Sequence, residues 1–318
     1  MGMHTRRDFL RRAALAGGAM ALSPFRAGSA QETKKSGLID MTIARWTGEE
    51  ASEPEQIKAL AERLTEKAIN ALGGMNRFVS TGDVVWIKPN IGWNRRPEQA
   101  ADTNPDVVAT LIRLCYNAGA KKVKVGDNPC NPAKLAYANS GIEAAAKAMD
   151  AEVVVLDANR FREMSIGGER LKQWPVYPEI VESDLVINVP VVKHHNLLKA
   201  PFTACMKNYM GVAGGERGKW HADIPPCLCD ITAFMKPRLC VLDAVRILTG
   251  NGPSGGSLAD VKRMDTVAAG TDIVALDALA GELLGLDPKT LPTVREGHER
   301  GLGEMNYRKL ALDELSVA

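Results

Sequence analysis

Aromatic residues are scarce, with 5 Trp, 5 Tyr and 6 Phe in 318 residues, and long hydrophobic runs are missing. Past the first 30 residues nothing approaches the ~18 consecutive apolar residues of a bilayer-spanning helix, so the mature chain is expected to have no stable membrane span. Blocks of Lys and Arg are missing as well. Lys+Arg total 40 and Asp+Glu 38, and the first 30 residues hold Arg6, Arg7, Arg11, Arg12 and Arg26 against Asp8 alone. The remainder therefore carries 35 bases against 37 acids, a net charge of −2. That balance argues against a nucleic-acid partner, because affinity for a phosphate backbone comes from grouped cations releasing counterions. There is no C-x-x-C and no H-E-x-x-H, which removes support for thioredoxin and zincin chemistry. What remains, 45% hydrophobic and 25% charged, is the composition of a globular protein.

Thr5-Arg6-Arg7-Asp8-Phe9-Leu10-Arg11 precedes a weakly apolar stretch, Ala13 to Leu22, and the small residues Ala27-Gly28-Ser29-Ala30. A basic region, a short apolar region and a small-residue cleavage site, in that order, form an export signal. The paired arginines followed by Phe-Leu assign residues 1–30 to the twin-arginine route, with the export machinery and a signal peptidase as partners and a periplasmic or otherwise extracytoplasmic destination. Six cysteines (Cys115, Cys130, Cys205, Cys227, Cys229, Cys240) make disulfides optional, since a chain this long buries a sufficient core without them.

Beyond the leader, short β-branched runs alternate with helical patterns. Strands are expected at Val84–Ile87, Lys122–Val125, Glu152–Leu156, Asp184–Val189, Leu239–Leu242 and Asp265–Ala268, and helices at Glu55–Leu72, Pro105–Ala118, Gly141–Met149 and Asp272–Leu284. Strands joined by helical crossovers predict an α/β fold, a mostly parallel open sheet with helices on both faces, in one domain over 36–312. In such a sheet the C-terminal strand ends share one edge, where ligands bind. Here those ends carry Lys88-Pro89-Asn90, Asp127, Asp157, Lys193-His194-His195 and Asp243.

Two segments add to this crest. If Thr203 to Tyr209 is helical, Thr203 and Lys207 share a face near a helix N-terminus, and with Lys88, Lys193 and Asn208 they make an anion cradle. The Gly-rich run Thr249-Gly250-Asn251-Gly252-Pro253-Ser254-Gly255-Gly256 offers backbone N–H groups to an anion, with Asn251, Gly252 and Gly255 as candidate contacts. It lacks the G-K-[ST] ending of a Walker loop and does not lie directly between a strand and a helix, as a dinucleotide fingerprint would. His221, Cys227 and Cys229, with Asp223 nearby, are the candidates for a metal ion or, together with Cys205, an iron–sulfur centre.

The ordered blocks Ile87-Lys88-Pro89-Asn90, Gly126-Asp127, Ile187-Asn188-Val189-Pro190 through Lys193 and His195, Lys207-Asn208-Tyr209-Met210-Gly211, Val241-Leu242-Asp243-Ala244 and Gly250 to Gly256 resemble Domain of Unknown Function family 362, from about Met41 to Gly303. The resemblance implies no assigned activity. Some members carry a ferredoxin-like iron–sulfur module, from which this chain departs by having no four-cysteine cluster. In the family's K-x-H pattern His195 fits rather than His194, and His221 falls near a recurrent histidine.

The expectation is an exported enzyme acting on a small anionic molecule, a carboxylate or phosphate. His195, Lys193, Asp127 and Asp243 would be its catalytic groups, and Lys88, Asn90, Thr203, Lys207, Asn208, Asn251, Gly252 and Gly255 its ligand contacts. A noncatalytic solute-binding protein and a metal or iron–sulfur redox protein stay open beside it.

Overall fold

The computed structural model describes residues 37–318, so the leader at residues 1–30 lies outside the described residues. β1 (Met41–Trp46) leads to α1 (Pro54–Ala71), which opens on a capping box in which Gln56 Oε1 accepts from the Glu53 N–H. Then come β2 (Val84–Pro89), α2 (Pro105–Asn117), whose Asn104 cap accepts from the Asp106 N–H, and β3 (Lys122–Val125). α3 (Ala133–Asn139), α4 (Ile142–Ala148) and the short β4 (Glu152–Val153) complete this half. The hairpin β5 (Arg162–Ser165) and β6 (Gln173–Val176) stands apart from the main sheet and is followed by α5 (Pro178–Glu182). β7 (Leu185–Val189), β8 (Val191–Leu197), β9 (Ala200–Thr203), the single turn α6 (Cys205–Asn208) and α7 (Ile224–Met235) carry the chain across the site. β10 (Leu239–Leu248), β11 (Val261–Gly270), α8 (Ile273–Leu283), α9 (Pro292–Glu299) and β12 (Leu312–Val317) finish it.

The main sheet runs β12-β1-β11-β10-β7-β2-β3-β4, with β8 on β10 and β9 on β8. The β10-β7-β2-β3-β4 stretch is all parallel, while β11 is antiparallel to both its neighbours, so the sheet is mixed and mostly parallel. Residue parity divides the interior into two cores. Val85, Ile87, Leu185, Ile187, Val189 and Val241 face one side, against α1, α2 and α4. Trp86, Val186 and Leu242 face the other, against α7 and α8. Burial on both faces explains why these strands read as continuous apolar runs rather than alternating ones. It also fixes the site: Lys88 has the parity of Trp86, and its register partner is Asn188, so both polar groups emerge on the α7/α8 side.

The structure departs from the sequence reading in two places that matter. Lys193, His194 and His195 lie within β8, not in a turn after a strand. Thr203 closes β9 and only Cys205–Asn208 is α-helical, so Thr203 and Lys207 do not share a helical face. The first N–H groups of that turn, on Cys205 and Met206, donate to buried Asp277 of α8 and are unavailable to a ligand. Burial pushes the Asp277 carboxyl up to about 7, with these bonds opposing the shift. The β10–β11 loop contains Gly250 to Gly255 in G-x-G-x-x-G order and Gly252 to Gly256 in G-x-S-x-G order, but it joins two antiparallel strands. It is neither a dinucleotide loop nor a nucleophile elbow, both of which need a strand-to-helix turn. Among the described residues no helix is long and apolar enough to cross a membrane.

Because Asp277 anchors the turn that carries Lys207, Asp277→Ala should lower unfolding stability in urea by about 1–3 kcal/mol for each N–H left buried without an acceptor. Asp277→Asn, which keeps an acceptor oxygen, should lose distinctly less.

Candidate functional site

A cavity of about 820 Å³ opens at the C-terminal ends of β2 and β3, beside β8 and β9. Its base is a buried polar network. Lys88, 0% exposed, pairs with Asp127, 2% exposed, at 2.6 Å, and also donates to Pro89 O at 2.9 Å and Asn208 Oδ1 at 3.0 Å. An ammonium has three donors, so Lys88 is saturated. Asp127 is equally committed: Oδ2 accepts from the Ile91 N–H at 2.8 Å and Oδ1 from the Asn128 N–H at 2.9 Å. Asn208 donates to Lys88 O and Asn188 Oδ1, and its own Oδ1 accepts from Asn90 Nδ2. Burial pulls the Lys88 ammonium below its ordinary value, and Asp127 opposes the shift. A Cβ on Gly211 would stand 1.8 Å from Asp127 Oδ1 and 2.5 Å from Lys88 Nζ, so only glycine lets the backbone close over this pair.

Above this base the wall is cationic. Lys193, 1% exposed, donates to Asn90 Oδ1 at 2.8 Å and to Ala101 O. Burial draws the Lys193 ammonium down, and it pushes the neighbouring Asp102 carboxyl up. Asp102 accepts through Oδ1 from the Gly92 and Trp93 N–H groups, whereas its Oδ2 is buried without a hydrogen bond. Lys207 contacts Met210 Sδ at 3.4 Å and His221 Nε2 at 3.3 Å. Burial, then the charges of Lys193 and Arg217, lowers its ammonium to about 7. Arg217 reaches the backbone oxygens of Asn128 at 2.6 Å and Met210 at 2.9 Å and has no carboxylate partner among the described residues.

The histidine tautomers follow from their neighbours. His221 Nδ1 lies 2.9 Å from Gly218 O, an oxygen that only accepts, so Nδ1 carries the proton and Nε2 accepts from Lys207. His195 Nδ1 accepts from the Leu197 N–H at 3.2 Å, which leaves the proton on Nε2. Burial first, and Lys207 next, holds the His195 imidazolium down at about 3, so the ring is neutral near pH 7 and offers an N–H. Strand parity sets His195 and Lys193 on one face of β8, and Thr203 opposite Lys193 in register. The Thr203 hydroxyl is buried without a partner. A hydroxyl left so costs about 1–3 kcal/mol unless something supplies the bond.

Of the residues singled out from sequence, Lys88, Asn90, Asp127, Lys193, His195, Thr203, Lys207, Asn208 and His221 meet at this cavity. Others do not. Asp243 is buried away from it, capping the Asn104 and Val245 N–H groups. Asn251 donates to Asp260, the Gly252 N–H to His194 Nδ1, and the Gly255 N–H to Asn251 O; from that loop only Pro253 lines the cavity. The proposed metal set is dispersed. Cys227 and Cys229 stand two apart on α7, so their thiols point to different sides, and Asp223 pairs with Arg170, while His221 binds Lys207. Among the described residues no three His, Cys, Asp or Glu side chains are placed to share a metal ion, and all six cysteines are unpaired. Sequence reasoning missed Trp93, Met210 and Arg217, all of which line the cavity. Arg217 had no signal to find, as it opens a short 3-10 helix, Arg217–Asp223, that no motif marks.

The fold and site define an α/β protein with a cation-lined cavity at its strand ends. Residues 85–282 match the family described as Domain of unknown function (DUF362), and the chain belongs to that family. It is 32% identical over 243 residues, covering 74% of this chain and 73% of the other, to Thylakoid-associated protein sll1697 of Synechocystis sp.. Among solved structures, the lactate racemase apoprotein from Thermoanaerobacterium thermosaccharolyticum aligns at TM-score 0.47 and 11% identity. That alignment covers 79% of this chain and 58% of that one, and no property of that protein is carried over.

Lys88→Met would strand the Asp127 charge and should destabilise the protein by about 3–5 kcal/mol in urea unfolding. Lys88→Met/Asp127→Asn, which removes the stranded charge but keeps an acceptor, should recover much of that loss.

Proposed function

We propose that the protein is an exported enzyme that binds a small oxyanion, a carboxylate or phosphate, in the strand-end cavity and acts on it by electrostatic and proton-transfer chemistry. One observation carries the reading: Lys88, Lys193, Lys207 and Arg217 line the cavity against a single carboxylate, Asp127, which is already paired with Lys88. In a site of lowered dielectric such an excess of cations favours an anionic guest. Lys193 holds its charge, and His195 supplies a neutral N–H donor through Nε2. Proton transfer then falls to Lys207, whose ammonium sits at about 7 and whose nitrogen is held by His221. Asp127 keeps Lys88 oriented. A noncatalytic binding protein would need the cations but no amine that titrates near neutrality, and Lys207 therefore favours an enzyme.

Acetate, phosphate and sulfate are the probes. At least one should raise the melting temperature of the mature protein, and Lys193→Met/Lys207→Met should abolish the shift; a protein indifferent to all three would sink the proposal. The pH dependence has a definite sign. An anion favours charged Lys207, so affinity for acetate or sulfate, whose charges are constant from pH 6 to 9, should be greatest below about 7 and fall as pH rises, by up to about tenfold per unit. Titration calorimetry at several pH values measures this.

Export rests on the Arg6-Arg7 leader in the sequence. Changing both arginines to lysine should leave the protein in the cytoplasmic fraction at full length, and unchanged periplasmic recovery would refute the twin-arginine assignment.

A further inference from the structure

Counting the hydrogen-bonding capacity of the wall narrows the anion. Lys88, Asp127, Asn90 and Asn208 have spent their groups on one another and on the backbone. Lys193 has used two of its three N–H groups, and Lys207 has two contacts, one of them only a thioether. The Thr203 hydroxyl and His195 Nε2–H have no partner among the described residues. Four donors therefore remain, on side chains that β8, β9 and α6 bring to one wall. The ring acceptors, His195 Nδ1 and His221 Nε2, are occupied. Against these donors the lining side chains leave few open acceptors: Asn128 Oδ1, Asn196 at the rim and the lone pairs of the Thr203 hydroxyl.

A carboxylate brings two oxygens in one plane and leaves part of such a wall unsatisfied. A protonated oxyanion carries one charge fewer and turns a donor toward a wall whose cations call for acceptors. A fully ionised tetrahedral group brings three or more acceptor oxygens in different directions and two charges for Lys193 and Lys207. The cavity, at about 820 Å³, falls in the range of organic ligands and exceeds what an inorganic ion fills. Trp93, Leu197, Met210 and Pro253 form the apolar part of its lining.

Resting on the oxyanion reading above, we infer that the guest is a phosphate monoester, its tetrahedral dianion held by Lys193, Thr203, His195 and Lys207 and its organic body against Trp93, Leu197, Met210 and Pro253.

Calorimetry with inorganic phosphate, sulfate, phenyl phosphate, phenyl sulfate, acetate and malonate tests this on the mature protein. Phosphate and sulfate should bind at least about tenfold more tightly than acetate or malonate, the worth of one or more extra bonds to a charged group. Phenyl phosphate should bind more tightly than phosphate and more tightly than phenyl sulfate, which carries only one charge; phenyl sulfate binding as tightly as phenyl phosphate would overturn the assignment of a dianion. Thr203→Val, nearly isosteric, should cost phosphate about tenfold while leaving malonate unchanged, and Thr203→Ser should restore it. Acetate or malonate binding as tightly as phosphate, or Thr203→Val binding phosphate like the parent, would overturn the inference and leave the oxyanion reading standing. Failure of every probe would remove both.

Discussion

The buried ion pair between Lys88 and Asp127 is the constraint around which the site is arranged. An ammonium at the end of a central parallel strand has no water to turn to, so its three N–H groups must be met by fixed acceptors. The chain meets them with Asp127 from the end of β3, Asn208 from α6 and the Pro89 carbonyl. Each partner is then bound to a second task. Asp127 takes the Ile91 and Asn128 N–H groups, which fixes the loops after β2 and β3, and Asn208 joins Asn90 to Asn188. Gly211 is glycine because a side chain there would collide with the pair. Segments from residue 88 to residue 211 are thus tied to one pair of charges.

That arrangement also explains what the other cations are free to do. Since Asp127 is consumed by Lys88, the lining holds no carboxylate for Lys193, Lys207 or Arg217. Burial comes first in lowering the Lys207 ammonium to about 7, and the charges of Lys193 and Arg217 add to it. Burial likewise leads in keeping His195 neutral, with the charge of Lys207 next. One distribution of charge therefore attracts an anion and, with burial, sets the protonation states that would meet it.

Much of the sheet was legible because β-branched runs bounded by turn residues leave little else for Val84-Val85-Trp86-Ile87 or Leu185 to Val189 to become. The strand-end rule then found Lys88, Asn90 and Asp127, whose location depends on topology alone. Reading failed where tertiary contacts overrode local pattern. Val191 to Leu197 contains Lys-His-His-Asn and looks like a loop, yet it is a strand because β9 and β10 pair with it. The stretch after Thr203 looks like a helix long enough to cradle an anion, but Asp277, more than seventy residues away in sequence, occupies that N-terminus. β1, the edge strand β12 and the hairpin β5–β6 carry weak patterns, and the reading passed over them. Cys227 and Cys229 seemed a metal pair while their segment was unassigned; once it is a helix, their separation turns them apart.

The site carries a cost. Thr203 buries its hydroxyl without a hydrogen bond, and three cations face one space. Little of this strengthens the fold, since burying charged side chains such as Lys193 is often no more stabilising than a well-packed apolar wall of similar volume. Packing alone therefore does not account for the arrangement, whereas binding does. A guest that supplies acceptors and negative charge recovers the unmade bonds and relieves the repulsion, and through linkage the gain appears as added stability of the folded state. The same logic separates this cavity from Asp243 and the Gly-rich loop, whose polar groups are satisfied internally and ask nothing of a ligand. Polar residues at a strand end mark a site only when the structure leaves them with capacity unspent. Here that capacity lies with Lys193, Thr203, His195 and Lys207.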